Sequence, residues 1–174
     1  MNPILDLNDL MIEQLRELYD AELHLSEFLG EMRLQAVDQQ LVKLIEKYQK
    51  TSEDNQWVLK QVFNDLFTQK RGAKNEAIRL MESQSNKIIN RCKTNEVRDA
   101  AIIIGIQHII HYKIASYGAV ATYANVIGLY KDAGKLHELV ELEKKTDRHL
   151  AMLADSEIDR KAFNYSYTPS APSL

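Results

Sequence analysis

The residues of this chain best placed to do chemistry are acidic and polar side chains standing where helical spacing calls for apolar ones. Glu22 lies four residues after Leu18 and three before Leu25. Glu143 and Asp147 fall between Val140 and Leu150, one turn apart. In another series Leu41, Ile45 and Tyr48 are followed at the same spacing by Ser52 and Asn55, inside the polar run Thr51-Ser52-Glu53-Asp54-Asn55-Gln56. A carboxylate on an inward helix face is too costly to ionise alone, so it needs partners. Two chemistries compete. Helical bundles hold paired iron or manganese ions with inward Glu and Glu-x-x-His pairs; the alternative is a hydrogen-bonded polar core with no metal. Glu143 and Asp147 by themselves fit a solvated face equally well, and it is the addition of Glu22 that favours a shared layer.

Other candidates carry less. His108 and His111 are three residues apart but point away from the Ile103–Ile110–Tyr117 seam, and two ligands do not make a zinc site. Packing or a subunit interface is the expected role. His24 and His149 belong to no ligand motif and read as surface residues. Cys92 stands between Arg91 and Lys93, which would lower a thiol pKa, yet a structural cysteine near a helix end is the simpler reading. Trp57 and Phe63 are assigned to a broad apolar face of the second helix. No glycine-rich phosphate loop, Gly-x-Ser-x-Gly elbow or aromatic-basic interleaving occurs.

The elements that must position these residues are helices. All three prolines, Pro3, Pro169 and Pro172, lie near the ends, and a long proline-free interior suits long helices because proline costs a helix interior about 3 kcal/mol. Apolar residues recur at three-four spacing through Leu15, Leu18, Leu25 and Leu29, and again in four later series. The isoleucine-rich run around Ile103 and Ile106 lacks strict alternation and outlasts a strand, so it too reads as helix. The spacing predicts helices over 7–32, 36–68, 74–91, 96–127 and 130–155. Asp6 or Asn8, Asp38, and Thr94 or Asn95 serve as N-caps, and Gly128 as a C-terminal stop. Short connections make successive helices antiparallel, giving an all-α up-down bundle of four long helices and one shorter. The bundle is expected over 1–155. A tail over 156–174 is expected to pack on it or on a neighbouring subunit through Tyr165 and Tyr167.

Composition sets limits. The 174 residues suit a single domain. Lys and Arg number 22 against 25 acids, a net charge of -3 without the basic excess of nucleic-acid binding. The longest apolar stretch, Ala100 to Ile106, is too short to span a bilayer, and the first residues show no secretory pattern. One cysteine suits a reducing compartment. A cytoplasmic protein is expected. The isoleucines off the main seam of helix four, Ile102, Ile104 and Ile109, suggest a partly covered face and hence a homodimer.

Asn95-Glu96-Val97-Arg98-Asp99-Ala100-Ala101 and His111-Tyr112-Lys113-Ile114-Ala115-Ser116-Tyr117-Gly118 resemble segments of the YciF-like family of bacterial ferritin-like stress proteins, whose biochemical activity is unknown. Tyr19-Asp20-Ala21-Glu22 and Glu143-Lys144-Lys145-Thr146-Asp147 are similar to its first and last helices. The resemblance spans about residues 7–155. It implies a five-helix ferritin-like fold, a homodimer and, with an intact ligand set, a dinuclear metal centre. Two departures stand out. The family's His-x-x-Glu-Thr-x-x-Gln falls on Tyr48, Thr51, Ser52 and Asn55, and its Glu-His-Tyr-Glu on Ile110-His111-Tyr112-Lys113. Of the acidic set Glu22, Glu143 and Asp147 remain, enough at most for one weak oxygen-ligated ion. An inward Lys113 would supply a charge in the metal's place, within a buried polar cluster of Glu22, Thr51, Ser52, Asn55, Lys113, Glu143 and Asp147. The expectation is therefore a non-enzymatic structural or stress-protective dimer without cofactor. Its alternatives are an iron- or manganese-binding protein with oxidoreductase or iron-handling activity, and a helical partner-binding module.

Overall fold

The computed structural model describes residues 3–70 and 72–165, with only the backbone at 164 and 165. The described chain runs first through α1 (Leu7–Gln35), α2 (Gln39–Asp65), α3 (Glu76–Ile89), α4 (Asn95–Val126) and α5 (Tyr130–Leu153). There is no strand among the described residues. The starts of α1 to α4 are each set by a side chain that accepts an otherwise orphaned backbone N–H, whereas α5 has no side-chain cap. Asp6 accepts from Asp9, Asp38 from Gln40 and Leu41, Asn75 from Ile78, and Thr94 from Val97. Gly128, at φ 85°, closes α4 in the left-handed conformation that glycine adopts without strain.

Beyond α5 the helix does not stop at 155. It runs through one π turn, Ala154–Ile158, into α6 (Asp159–Tyr165), so residues 156–165, read from sequence as tail, are helical. Ile158 is buried, and Lys161 reaches Asp38 at the start of α2 at 3.0 Å. The expected anchoring by the Tyr165 and Tyr167 side chains falls outside the described residues.

In cross-section α1 and α4 lie side by side, α2 packs on α1, and α5 packs on both α2 and α4. Successive helices alternate in direction. The shorter α3 lies across α4 and α1, and its approach to α4 is close: a Cβ added at Gly105 would meet the Ser85 Oγ at 2.8 Å and Cβ at 2.9 Å. Two side chains behave differently from their sequence reading. Ile102 and Ile109 are fully buried within the single chain, which leaves Ile104, 46% exposed, as the open isoleucine of that group. Trp57 is 62% exposed, while Phe63 is buried; Trp57 stands two residues from both Asn55 and Leu59, roughly opposite the seam they share.

The core has two apolar halves. One contains Leu25, Leu29, Ile45, Ile103, Ile106 and Leu150, among others. The other contains Leu15, Leu18, Leu59, Val120, Leu136 and Val140. Between them, at mid-height, the four long helices meet in a polar layer.

Candidate functional site

Each long helix contributes to that layer where its apolar seam breaks. From α1 comes Glu22, from α2 Ser52 and Asn55, from α4 Lys113 and from α5 Glu143, none more than 1% exposed. At the centre is the Lys113 ammonium. Its Nζ lies 2.7 Å from Glu143 Oε1 and 2.9 Å from Glu22 Oε1. Both carboxylates collect further donors. Ser52 Oγ donates to Glu22 Oε2 at 2.6 Å, and Asn55 Nδ2 bridges Glu22 Oε1 at 3.1 Å and Glu143 Oε1 at 3.2 Å.

Two tyrosines that sequence reading placed among the seam residues complete the set. The Tyr117 hydroxyl donates to Glu22 Oε1 at 2.5 Å and the Tyr48 hydroxyl to Glu143 Oε2 at 2.6 Å. Lys113 also lies 5.1 Å from the centre of the Tyr48 ring and 6.0 Å from that of Tyr117, so the aromatic faces add to the solvation of the cation. A signal for both was present in the sequence, since Tyr48 is one turn before Ser52 and Tyr117 one turn after Lys113.

The electrostatics follow from this enclosure. Burial alone would strip the Lys113 proton, but Glu143 and Glu22 together outweigh it and hold the ammonium above the ordinary lysine range. Burial pushes the Glu143 carboxyl up, and repulsion from Glu22 adds to this against the pull of Lys113. Burial also drives both tyrosines well above their usual range, with the facing carboxylates adding to the shift, so they are neutral donors. With both carboxyls ionised the layer would carry one net negative charge, and Glu143 is the group that burial and Glu22 predispose to take a proton. The Asn55 Oδ1 acceptor has no hydrogen-bond partner among the described residues.

Two members of the expected cluster lie outside it. Asp147 sits on the flank of α5, where its Oδ1 accepts from Gln107 Nε2 at 3.0 Å and lies 3.3 Å from His111 Nε2. One turn beyond Glu143 is enough to rotate it off the closed seam, because 3.6 residues per turn does not return a fourth residue to the same line. Thr51 turns its hydroxyl back to the Lys47 carbonyl at 3.1 Å; it precedes Ser52 by one residue and so faces about 100° away. His108 and His111 are exposed, and His24 lies 2.6 Å from Arg79 Nη2.

The layer does not fit a dinuclear metal. It offers two carboxylates and no imidazole or thiolate, and the ammonium already occupies the space between the carboxylates. No group of three or more His, Cys, Asp and Glu side chains among the described residues is arranged to hold an ion. Nor, among those residues, is any helix long and apolar enough to cross a membrane.

A helical bundle with an ion-paired polar midplane is thus the class that the fold and site define. The chain belongs to the family described as a domain of unknown function, DUF892, whose profile matches residues 6–163. It is 32% identical to Protein YciF of Escherichia coli K12 over 159 residues, covering 91% of this chain and 96% of that protein. Among solved structures it is similar to the E. coli stress protein YciF, with a TM-score of 0.86 and 30% identity over 90% of this chain and 99% of that one. It is also similar to YcfI of Rhodopseudomonas palustris, described as a candidate structural protein, with a TM-score of 0.84 and 26% identity over 86% and 96% of the two chains.

Proposed function

We propose that this protein is a non-enzymatic, ferritin-like member of its family, a structural or stress-protective homodimer in which a lysine ammonium takes the place of a metal. One observation carries the reading: Lys113 Nζ lies 2.7 Å from Glu143 and 2.9 Å from Glu22 with all three side chains fully buried. A protonated lysine side chain stands between the two carboxylates, where an intact ligand set would hold an ion. The stress role rests on similarity to the E. coli stress protein YciF. The dimer rests on the family resemblance and on the exposed Ile104.

The test is metal analysis of protein purified after growth with added iron and manganese. The expected result is well under one ion per chain. Two tightly held ions per chain would overturn the proposal and restore the iron- or manganese-handling alternative.

A further inference from the structure

Helices α2 and α4 end in the same backbone motif, and the comparison is informative. At the end of α4, Leu129 N–H bonds the Ala124 carbonyl at 2.8 Å and Gly128 N–H the Asn125 carbonyl at 3.2 Å. At the end of α2, Thr68 N–H bonds the Phe63 carbonyl and Phe67 N–H the Asn64 carbonyl, both at 3.1 Å. This is the Schellman arrangement, which wants glycine at the left-handed position. Gly128 supplies it in α4, but α2 has Phe67 at φ 50°, an unfavourable backbone state for a bulky residue. Its ring is 98% exposed and gains no packing among the described residues to offset this. Strain persisting without internal compensation is characteristic of functional positions.

Beside Phe67 is a cavity of ≈ 420 Å³ lined by Lys60, Phe63, Asn64, Thr68, Gln69 and Lys70. Lys60 and Lys70 both approach the Tyr19 ring, at 5.9 Å and 5.1 Å from its centre. Neither makes an ion pair or hydrogen bond among the described residues. The nearby acids are committed elsewhere: Asp65 to Lys131 and Lys135 at 3.2 and 2.6 Å, and Asp20 to Arg79 at 3.0 Å. Two ammoniums that share the Tyr19 ring and have no anionic partner among the described residues favour a dianion, and the Asn64, Thr68 and Gln69 side chains offer neutral donors beside them. Phosphate esters carry close to two charges near neutral pH and three acceptor oxygens.

We infer that the end of α2 is a binding site for a small phosphate monoester bearing an aromatic or apolar body. The phosphate sits between Lys60 and Lys70, and the apolar part lies against the ring of Phe67. This site is remote from the Lys113 layer and independent of what that layer does.

Phenyl phosphate is the probe, followed by NMR shifts of the backbone amides over 64–70 at pH 7, with inorganic phosphate and phenol as comparisons. The expected result is saturable binding of phenyl phosphate, weaker binding of inorganic phosphate and none of phenol. Lys60→Gln and Lys70→Gln should each weaken phenyl phosphate binding by about ten-fold. Phe67→Gly should raise the melting temperature by about 2–4 °C, since it relieves the strain, and remove the preference for phenyl phosphate over inorganic phosphate. The inference is overturned if no saturable shift appears, if the double lysine variant binds as well as the wild type, or if phenyl phosphate is bound no better than inorganic phosphate. It is equally overturned if the protein sediments with phosphatidic acid vesicles through the same lysines but ignores phenyl phosphate, because the ligand would then be a membrane surface.

Discussion

Lys113 serves two buried carboxylates with one ammonium, so its loss is felt twice. Lys113→Met removes the only cation among the described residues in contact with either carboxylate, and should destabilise the fold by about 3–5 kcal/mol, measured by chemical denaturation. Adding Glu143→Gln to that variant should recover part of the loss. The single remaining carboxylate, Glu22, keeps donors from Tyr117, Ser52 and Asn55. No recovery would mean that the charge imbalance is not what destabilises the single variant. Tyr117→Phe, which deletes one hydrogen bond to a charged group, should cost about 1.5–3 kcal/mol. By contrast Asp147→Asn, on the partly exposed flank, should change stability by less than about 1 kcal/mol.

At the scale of elements, the docking of α3 is the adjustable feature. Glu82 on α3 has one carboxylate oxygen buried without a hydrogen-bond partner among the described residues. Its pKa is raised to about 7, chiefly by burial, with Arg79 opposing the shift and Glu31, Glu27 and Asp20 on α1 adding to it. Because this carboxyl binds its proton more tightly in the folded state, the fold loses stability as pH rises from the ordinary carboxylate value near 4.5 to about 7. Glu82→Gln should therefore raise the melting temperature at pH 8 and change it little at pH 4. An equal effect at both pH values would show that the ionisation is not responsible. Gly105→Ala tests the same contact sterically. The new Cβ would press on Ser85, whose Oγ and Cβ lie within 2.9 Å of it, and overpacking of this kind costs about 1–3 kcal/mol. Restoration by Ser85→Gly in the double variant would localise the effect to the α3–α4 contact.

The whole molecule is two apolar half-cores joined through a charged midplane. An apolar layer of the same volume would be at least as stable in many proteins, so the retained ions are not explained by stability alone. They do fix the vertical register of four helices at once, since sliding α1, α4 or α5 by a turn would pull its carboxylate or ammonium out of the network, and sliding α2 would withdraw the Tyr48, Ser52 and Asn55 donors. The proposed assembly belongs to this scale as well. Light scattering at micromolar concentration should give twice the 20.0 kDa chain mass, and Ile104→Lys should shift the particle towards the monomer. A monomeric wild type would remove the dimer from the proposal.

Much of this was legible in the residues themselves. Proline confined near the ends, three-four apolar spacing and capping side chains determine helices with boundaries close to those observed, because these are local properties of φ, hydrogen bonding and period. The breaks at Glu22, Ser52, Asn55 and Glu143 are likewise visible, since a polar residue on an apolar seam stands out against its neighbours. Tertiary structure decided which of the polar residues meet. Asp147 and Thr51 satisfy the same approximate spacing, yet small rotations around their helices carry them off the seam. Tyr48 and Tyr117 look like ordinary core aromatics until the helices come together and point their hydroxyls at carboxylates on other elements. The strain at Phe67 and the lack of an anionic partner for Lys60 and Lys70 among the described residues are also invisible in the sequence. A left-handed φ and the absence of a partner are properties of the folded neighbourhood, not of a residue type or its spacing.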